Sequence, residues 1–276
     1  MKPLVSVCIP AYNSSATIAN TITSILQQTY QNLEVVIADD KSSDDTVAIV
    51  EELARQDARV KLYKNERNLG MAGNWNHCLE LCTGEYVKLI CADDKIVPEA
   101  IEKEVRAMEQ NPTVNMVESD TSLEDIDGTA HGVFKRYYKK GLVNGKKLAK
   151  LSLMVNDFFG APVNNLLRRS ALLQIGGFDT DFVYILDFDM WVRMACSGDV
   201  YIIHEPLNSF CVRNDSNTGI MINEKRDVYV AEHRRLVEKH ARIGILKISA
   251  FECWLSVQFR KMRNVAIGIY LKLFAK

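Results

Sequence analysis

Two pairs of acids and one aromatic-amide pair in this chain each follow a short apolar run: Tyr12-Asn13 after LVSVCI-Pro-Ala, Asp39-Asp40 after LEVVIA, and Asp93-Asp94 after YVKLIC-Ala. Carboxylates at a strand end place oxygen ligands where a divalent cation and a diphosphate can meet. Magnesium and manganese take one or two protein carboxylates and complete their shell with phosphate oxygens. Each pair also has a purely local reading. Asp39-Asp40 leads into Ser42, Ser43 and Asp44, any of which can cap the next helix, and Asp93-Asp94 can cap the following turn. Asp187 and Asp189 open a helix, where the dipole favours acids in any case.

The runs that carry these residues alternate strand with helix. Leu4–Ile9 reads as a buried strand ended by Pro10, and Ser14 or Ser15 can cap a helix with Ile18, Ile22, Ile25 and Leu26 on one face. Strand 33–38, a helix to about Gln56, strand 60–63, a helix carrying Trp75 and Leu79 and stopped by Gly84, and strand 86–91 follow. A helix over 99–109 and a strand over 114–117 complete the first half. Such alternation predicts a mostly parallel sheet covered by helices, with ligands at the carboxyl ends of its strands. Residues 119–160, with the basic-aromatic stretch KRYYKK at 135–140, read as an insertion flanking the cleft. Beyond them come a strand and short helix near 165–175, a helix over 186–196 with Trp191 and Met194 on an apolar face, and a last strand over 200–203. The rest, after Asn223, reads as helical.

Composition narrows the class. With 34 Lys+Arg against 35 Asp+Glu the net charge is −1, which argues against nucleic-acid binding by overall basicity. Seven scattered cysteines without a C-x-x-C pair read as reduced thiols of a cytoplasmic protein. Cys78 and Cys82 lie one helical turn apart, but His77 does not complete a zinc set. Neither G-x-G-x-x-G nor G-x-x-x-x-G-K-[ST] occurs, which excludes dinucleotide-binding dehydrogenases and P-loop enzymes. Pro10 stands where an aspartyl phosphatase would begin D-x-D-x-T. The first turn also lacks the Gly-x-Gly-x-Arg loop of sugar nucleotidyltransferases.

Four blocks in order, VSVCIPAYN…VVIADDKSSDDT, NLGMAGNWNHCLELCTGEYVKLICADD, LLRRSALLQIGGFD and LDFDMWVRM, resemble a family 2 glycosyltransferase with the GT-A fold over residues 3–218. The resemblance implies an inverting enzyme that uses a nucleoside-diphosphate sugar, UDP-linked, and a saccharide or lipid-linked acceptor in surface polysaccharide synthesis. By position, Tyr12 would stack on the base within the turn Pro10, Ala11, Tyr12, Asn13. Asp40 would accept from the base imide, Asp93 would lie near the ribose, Asp94 would bind Mn²⁺ or Mg²⁺, and Asp187 would be the catalytic base. Asn68 and Asn76 are weaker donor-site candidates. Leu186 replaces the usual Glu before the base, and Arg213 stands where relatives have a metal-binding histidine. Arginine does not ligate a metal but suits phosphate oxygens. The implied division is a catalytic domain over 1–223, with a nucleotide half over 1–118 and an acceptor half over 119–223, followed by a tail over 224–276. Two other classes compete: a nucleotide-sugar-binding partner without catalysis, and a sugar nucleotidyltransferase.

Residues 224–276 carry a net charge of +7, against −8 for the rest. With Phe251, Trp254 and Phe259 among its basic residues, this tail reads either as an amphipathic helix on the anionic inner face of the plasma membrane or as helices packed on the body or a second subunit.

Overall fold

A computed structural model describes residues 2–125, 127–211 and 225–274, with side chains up to Arg263. The strands are β1 (Val5–Ala11), β2 (Leu33–Asp39), β3 (Val60–Lys64), β4 (Tyr86–Leu89), β5 (Lys95–Ile96), β6 (Val114–Glu124), β7 (Ala130–Phe134), β8 (Gly141–Val143), β9 (Asn165–Arg168) and β10 (Asp199–Cys211). They form one sheet in the order β3-β2-β1-β4-β9-β6-β10-β5, with β7 paired to β6 and β8 to β10. Pairings among β3, β2, β1 and β4, and between β6 and β10, are parallel; β9 runs antiparallel between β4 and β6. The sheet is therefore mixed in its centre, and β6 crosses the expected division at residue 118.

Alternation along each strand sorts the core into two layers. Val5, Val7 and Ile9 of β1 meet Ile18, Ile22 and Ile25 of α1 (Ile18–Leu26) on one face. Cys8 and Val36 meet Cys78 and Leu79 of α3 (Gly70–Glu80) on the other. Between them lie α2 (Thr46–Gln56) and, further on, α4 (Ala100–Gln110), α5 (Gly145–Met154), α6 (Arg169–Ile175) and α7 (Leu186–Ser197). All seven cysteines are unbridged.

Several boundaries differ from the sequence reading. Pro10 lies inside β1, not after it: Cys8, on the same edge, accepts from Ile90, and by Pro10 β4 has ended, so no partner waits for the missing N–H. Helix α1 starts at Ile18, because the Ser14 and Ser15 amides donate instead to Thr46 Oγ1 and Asp44 Oδ2 in the neighbouring turn. Gly84 does not stop α3, which ends at Glu80. A Cβ at Gly84 would lie 2.7 Å from the Leu4 carbonyl oxygen and the Ser6 nitrogen, so its role is close approach to β1. Strand β6 continues through the polar stretch 119–124 because β7 and β10 pair with it on either side.

The tail folds onto the body as α8 (Arg226–Ile243) and α9 (Ala250–Phe274), separated at Gly244, whose φ is 76°. Leu236 and Val237 join the core beside α7. Asp189, expected only as a helix-start acid, is fully buried and accepts from Arg193 Nε (2.7 Å), Lys239 Nζ (2.7 Å) and His240 Nε2 (3.1 Å). Burial pushes its pKa up, but the His240 hydrogen bond and the charges of Arg193 and Lys239 outweigh this and hold it well below the usual range. Ser256 of α9 donates to the Leu153 carbonyl at 2.6 Å and meets His233 Nε2 at 2.8 Å. Packing on the body is thus the reading the described part of the tail follows. Among the described residues no helix is long and apolar enough to cross a membrane.

Candidate active site

The carboxyl ends of β1 and β2 build one end of a cleft of about 840 Å³. Asn13 sits there at φ 48°, a conformation asparagine tolerates because its side chain bonds locally. Its Oδ1 accepts from the Ser43 amide (2.8 Å), while its own amide donates to Ser42 Oγ (2.9 Å), so the two strand-end loops brace each other. Pro10, Ala11 and Tyr12 share this wall, and Tyr12 is 55% exposed, an open aromatic face. Asp40 is buried: Oδ1 accepts from the Leu69 amide (2.7 Å) and Asn65 Nδ2 (2.9 Å), and Oδ2 from the Gly70 amide (3.0 Å). A carboxylate has about four acceptor positions, so Asp40 fastens the turn into α3 and still has capacity toward the cleft it lines. Asn68 also lines the wall, its Nδ2 donating to the Asp40 carbonyl at 3.2 Å.

Asp93, after β4, and Asp187, at the start of α7, bring carboxylates from distant parts of the chain to the same cleft. Burial pushes the Cys91 thiol well up, and the charges of Asp94, Asp93 and Asp187 add to it. Asp187 is partly buried, and its pKa is pushed up to about 7: desolvation raises it, the nearby Asp157 adds to that, and the Phe188 amide (2.8 Å) and the Arg136 charge oppose it. Asp94, expected at the metal, is not among the cleft-lining residues. It is buried behind them, with Oδ1 accepting from the Cys211 amide at 3.0 Å and Oδ2 without a hydrogen-bond partner among the described residues. Burial and the charge of Asp93 push the Asp94 carboxyl well up.

No group of three or more His, Cys, Asp or Glu suited to a metal occurs among the described residues. A hard dication that keeps phosphate and water oxygens needs only one or two protein carboxylates. Asp93, which lines the cleft and whose charge acts on the buried Asp94, fits that requirement.

Beyond Asp187 the wall comes from residues the sequence reading did not single out: Arg136, Asp157, Tyr184, Tyr229 and Arg263. The only signal for Arg136 was its place in the basic-aromatic stretch; Asp157 and Tyr229 gave none. Trp191, buried in the core, donates from Nε1 to the Gly160 carbonyl (3.0 Å) and so fixes the loop that carries Asp157 to the helix that carries Asp187. Glu232 of α8 accepts from the Val183 and Tyr184 amides (3.0 and 2.8 Å), which sets the approach to α7. Asn76 does not reach the cleft. Its amide is spent on the backbone of Phe178, with Nδ2 to O at 2.9 Å and N to Oδ1 at 2.6 Å, so it is structural. Arg213 lies outside the described residues.

The chain matches the family described as Glycosyl transferase family 2 over residues 6–176. An uncharacterized protein of Mycobacterium tuberculosis is 34% identical over 216 residues, 74% of this chain and 66% of that protein, so the chain spans just under two thirds of that relative. Chondroitin synthase of Escherichia coli is 29% identical over 89% of this chain but only 34% of its own length. Among solved structures, S. aureus TarS in complex with UDP-GlcNAc superposes with a TM-score of 0.72 at 18% identity, covering 100% of this chain and 76% of that one. A Pyrobaculum calidifontis mannosyltransferase in complex with GDP-Man and Mn²⁺ gives 0.60 at 18% identity, covering 100% and 88%. At these identities the structures establish the fold, a GT-A-like sheet flanked by helices with a C-terminal helical extension. The chain belongs to glycosyl transferase family 2.

Proposed function

We propose that this protein moves a sugar, with inversion, from a nucleoside-diphosphate sugar to a hydroxyl of a saccharide or lipid-linked acceptor, in the building of a surface polysaccharide. The observation that carries the reading is that Asp187, Asp93, Asp40 and Tyr12 line one cavity. In the reaction the acceptor oxygen bonds to the anomeric carbon as the bond from that carbon to the phosphate oxygen breaks. Asp187 takes the hydroxyl proton, and its raised pKa makes it a competent base near neutrality. Tyr12 offers a ring for the base and Asp40 an acceptor for its imide. Asp93, in place of Asp94, would hold Mn²⁺ or Mg²⁺, which when bound supplies charge stabilisation for the departing diphosphate.

Incubation with UDP-sugars, Mn²⁺ and an acceptor panel, with released nucleotide assayed, tests this. The expected product is UDP from wild type and only traces from Asp187→Asn, with UDP binding kept. Pyrophosphate release would mark a nucleotidyltransferase, and UDP-sugar binding without turnover a non-catalytic partner.

In this reading residues 1–223 form the catalytic domain and the tail its outer wall. The tail also presents Phe251 and Trp254, 67% and 57% exposed with their rings stacked at 5.9 Å, and Met262 two turns on, beside Lys247 and Lys261. An aromatic face amid cations suits an anionic lipid surface. Co-sedimentation with phosphatidylglycerol vesicles should be lost in the Phe251→Ser/Trp254→Ser double variant. Equal pelleting of both proteins would remove the membrane assignment, and a monomer–dimer shift in the variant would give the face to a second copy.

A further inference from the structure

The cleft beyond Asp187 is lined by arginines that stand near carboxyl groups but form no ion pair with them among the described residues. Arg136, just after β7, and Arg263, on α9, both line it. Arg260, one turn before Arg263, lies behind the wall at 2% exposure. Its Nη1 donates to the Tyr229 hydroxyl at 3.0 Å, its guanidinium lies over the rings of Phe188 and Tyr229, and its Nη2 is buried without an acceptor. The Nε of Arg136 is likewise buried and unpartnered, and its guanidinium rests 4.6 Å from the Phe134 ring centroid. Arg263 donates to the side-chain oxygen of Asn156. Among the described residues none of the three forms an ion pair. The three come from two elements far apart in sequence and lie within range of one another's charge: Arg263 loses basicity through burial first and then through Arg260 and Arg136.

Backbone is also committed to this arrangement. Gly160 holds φ 75°, and a Cβ there would stand 2.7 Å from Arg136 Nε, so only glycine leaves the guanidinium its place. Asp157 and Asp187 share the cavity and Glu118 lies within range of the Arg136 charge, but among the described residues none of these carboxyls hydrogen-bonds or ion-pairs with the three guanidinium groups. Desolvated cations without a paired counter-charge are costly to keep. An anion seated between their planar forks removes that cost, since guanidinium geometry matches two oxygens of a carboxylate or phosphate.

We propose that this end of the cleft is an acceptor subsite for an oxyanion, a phosphate ester or a uronate carboxylate borne by the acceptor near its reactive hydroxyl. Arg136 and Arg263 make the contacts, and Arg260 is a positioning residue behind them. The donor diphosphate belongs elsewhere. Asp93 follows β4, whereas Arg136, after β7, and Arg263, on α9, lie where their charges act on Asp187 and on one another. The inference rests on the glycosyltransferase reading for the word acceptor, but the anion site itself does not.

The test is calorimetric titration of the full chain, saturated with UDP and Mn²⁺, with methyl phosphate in one arm and methyl glucuronide in the other. Saturable binding of either supports the subsite and identifies the group. Arg136→Gln and Arg263→Gln should each weaken it about tenfold, with UDP affinity unchanged. Arg263→Lys, which keeps the charge and loses the fork, should fall between. If a Gln variant does not fold, the Lys variants at both positions carry the comparison. No saturable binding by wild type, affinity equal in the variants, or competition with UDP would each overturn the proposal. Failure of UDP itself to bind would instead strike the donor reading, and the same titrations on nucleotide-free protein would still decide the arginines.

Discussion

A carboxylate works as a base near neutral pH only when its surroundings hold the proton on longer than water would. Asp187 meets that condition through desolvation and the neighbouring Asp157, which together bring its pKa to about 7. The base must be ionised, so kcat/KM should rise with pH through about 7 and level off above; a profile flat across neutrality would assign the proton to another group. Asp187→Asn should lower kcat by about 10²–10⁴ without weakening UDP. The neighbouring acids should separate cleanly. Asp93→Asn should abolish the response to Mn²⁺, whereas Asp94→Ala removes an acceptor from the Cys211 amide and should appear chiefly as about 1–3 kcal/mol of lost stability in urea unfolding. Sequence made both acids visible but not the direction of either, because the partner that turns Asp94 inward is an amide 117 residues away.

At the scale of elements, the sheet is held by more than apolar alternation. Lys88 of β4 and Glu104 of α4 form an ion pair at 2.8 Å with neither side chain exposed, and Ser119 of β6 reaches the same carboxylate at 3.4 Å. Removing one member leaves an uncompensated buried charge, so Lys88→Met should cost about 3–5 kcal/mol, and Lys88→Met/Glu104→Met should recover much of it. Chemical denaturation of the three proteins provides the cycle. Strand and helix order up to residue 117 was legible from periodicity, apart from the two-residue β5, because burial on a face repeats locally, whereas β7, β8 and α5 in the stretch read as an insertion were not. The boundaries at Pro10, Gly84 and β6 were not, since each depends on where a neighbouring strand stops or passes. Asn76, a weak donor-site candidate by sequence, lies within α3, and its amide meets the Phe178 backbone, a partner 102 residues away that no local pattern reveals.

For the whole molecule, the tail is part of what shapes the cleft. Tyr229 and Arg263 line it, Glu232 holds the Val183 and Tyr184 amides, and Lys239 and His240 close on Asp189, two residues after Asp187 in α7. Truncation after Asn223 should therefore destabilise the fold rather than release a dispensable arm, and loss of the thermal transition or of solubility would show it. Asp189→Asn should cost about 3–5 kcal/mol through the cations it leaves buried. The Asp189 carboxyl, held low in the folded state, contributes its stability above the unfolded carboxylate pKa of ~3.9 and loses it as acid protonates the folded form.

What the chain's own order of residues determined was the alternation of strand and helix, the placing of Tyr12, Asp40 and the 93–94 pair at strand ends, and the family they spell, because each rests on spacing among near neighbours. Only the tertiary structure decided that Asp93 rather than Asp94 lines the cleft, that Asp189 binds the tail, and that Arg136 and Arg260 bring their charges to bear on Arg263. Those outcomes depend on which backbone amide or charge arrives from across the molecule, and no local pattern carries that information.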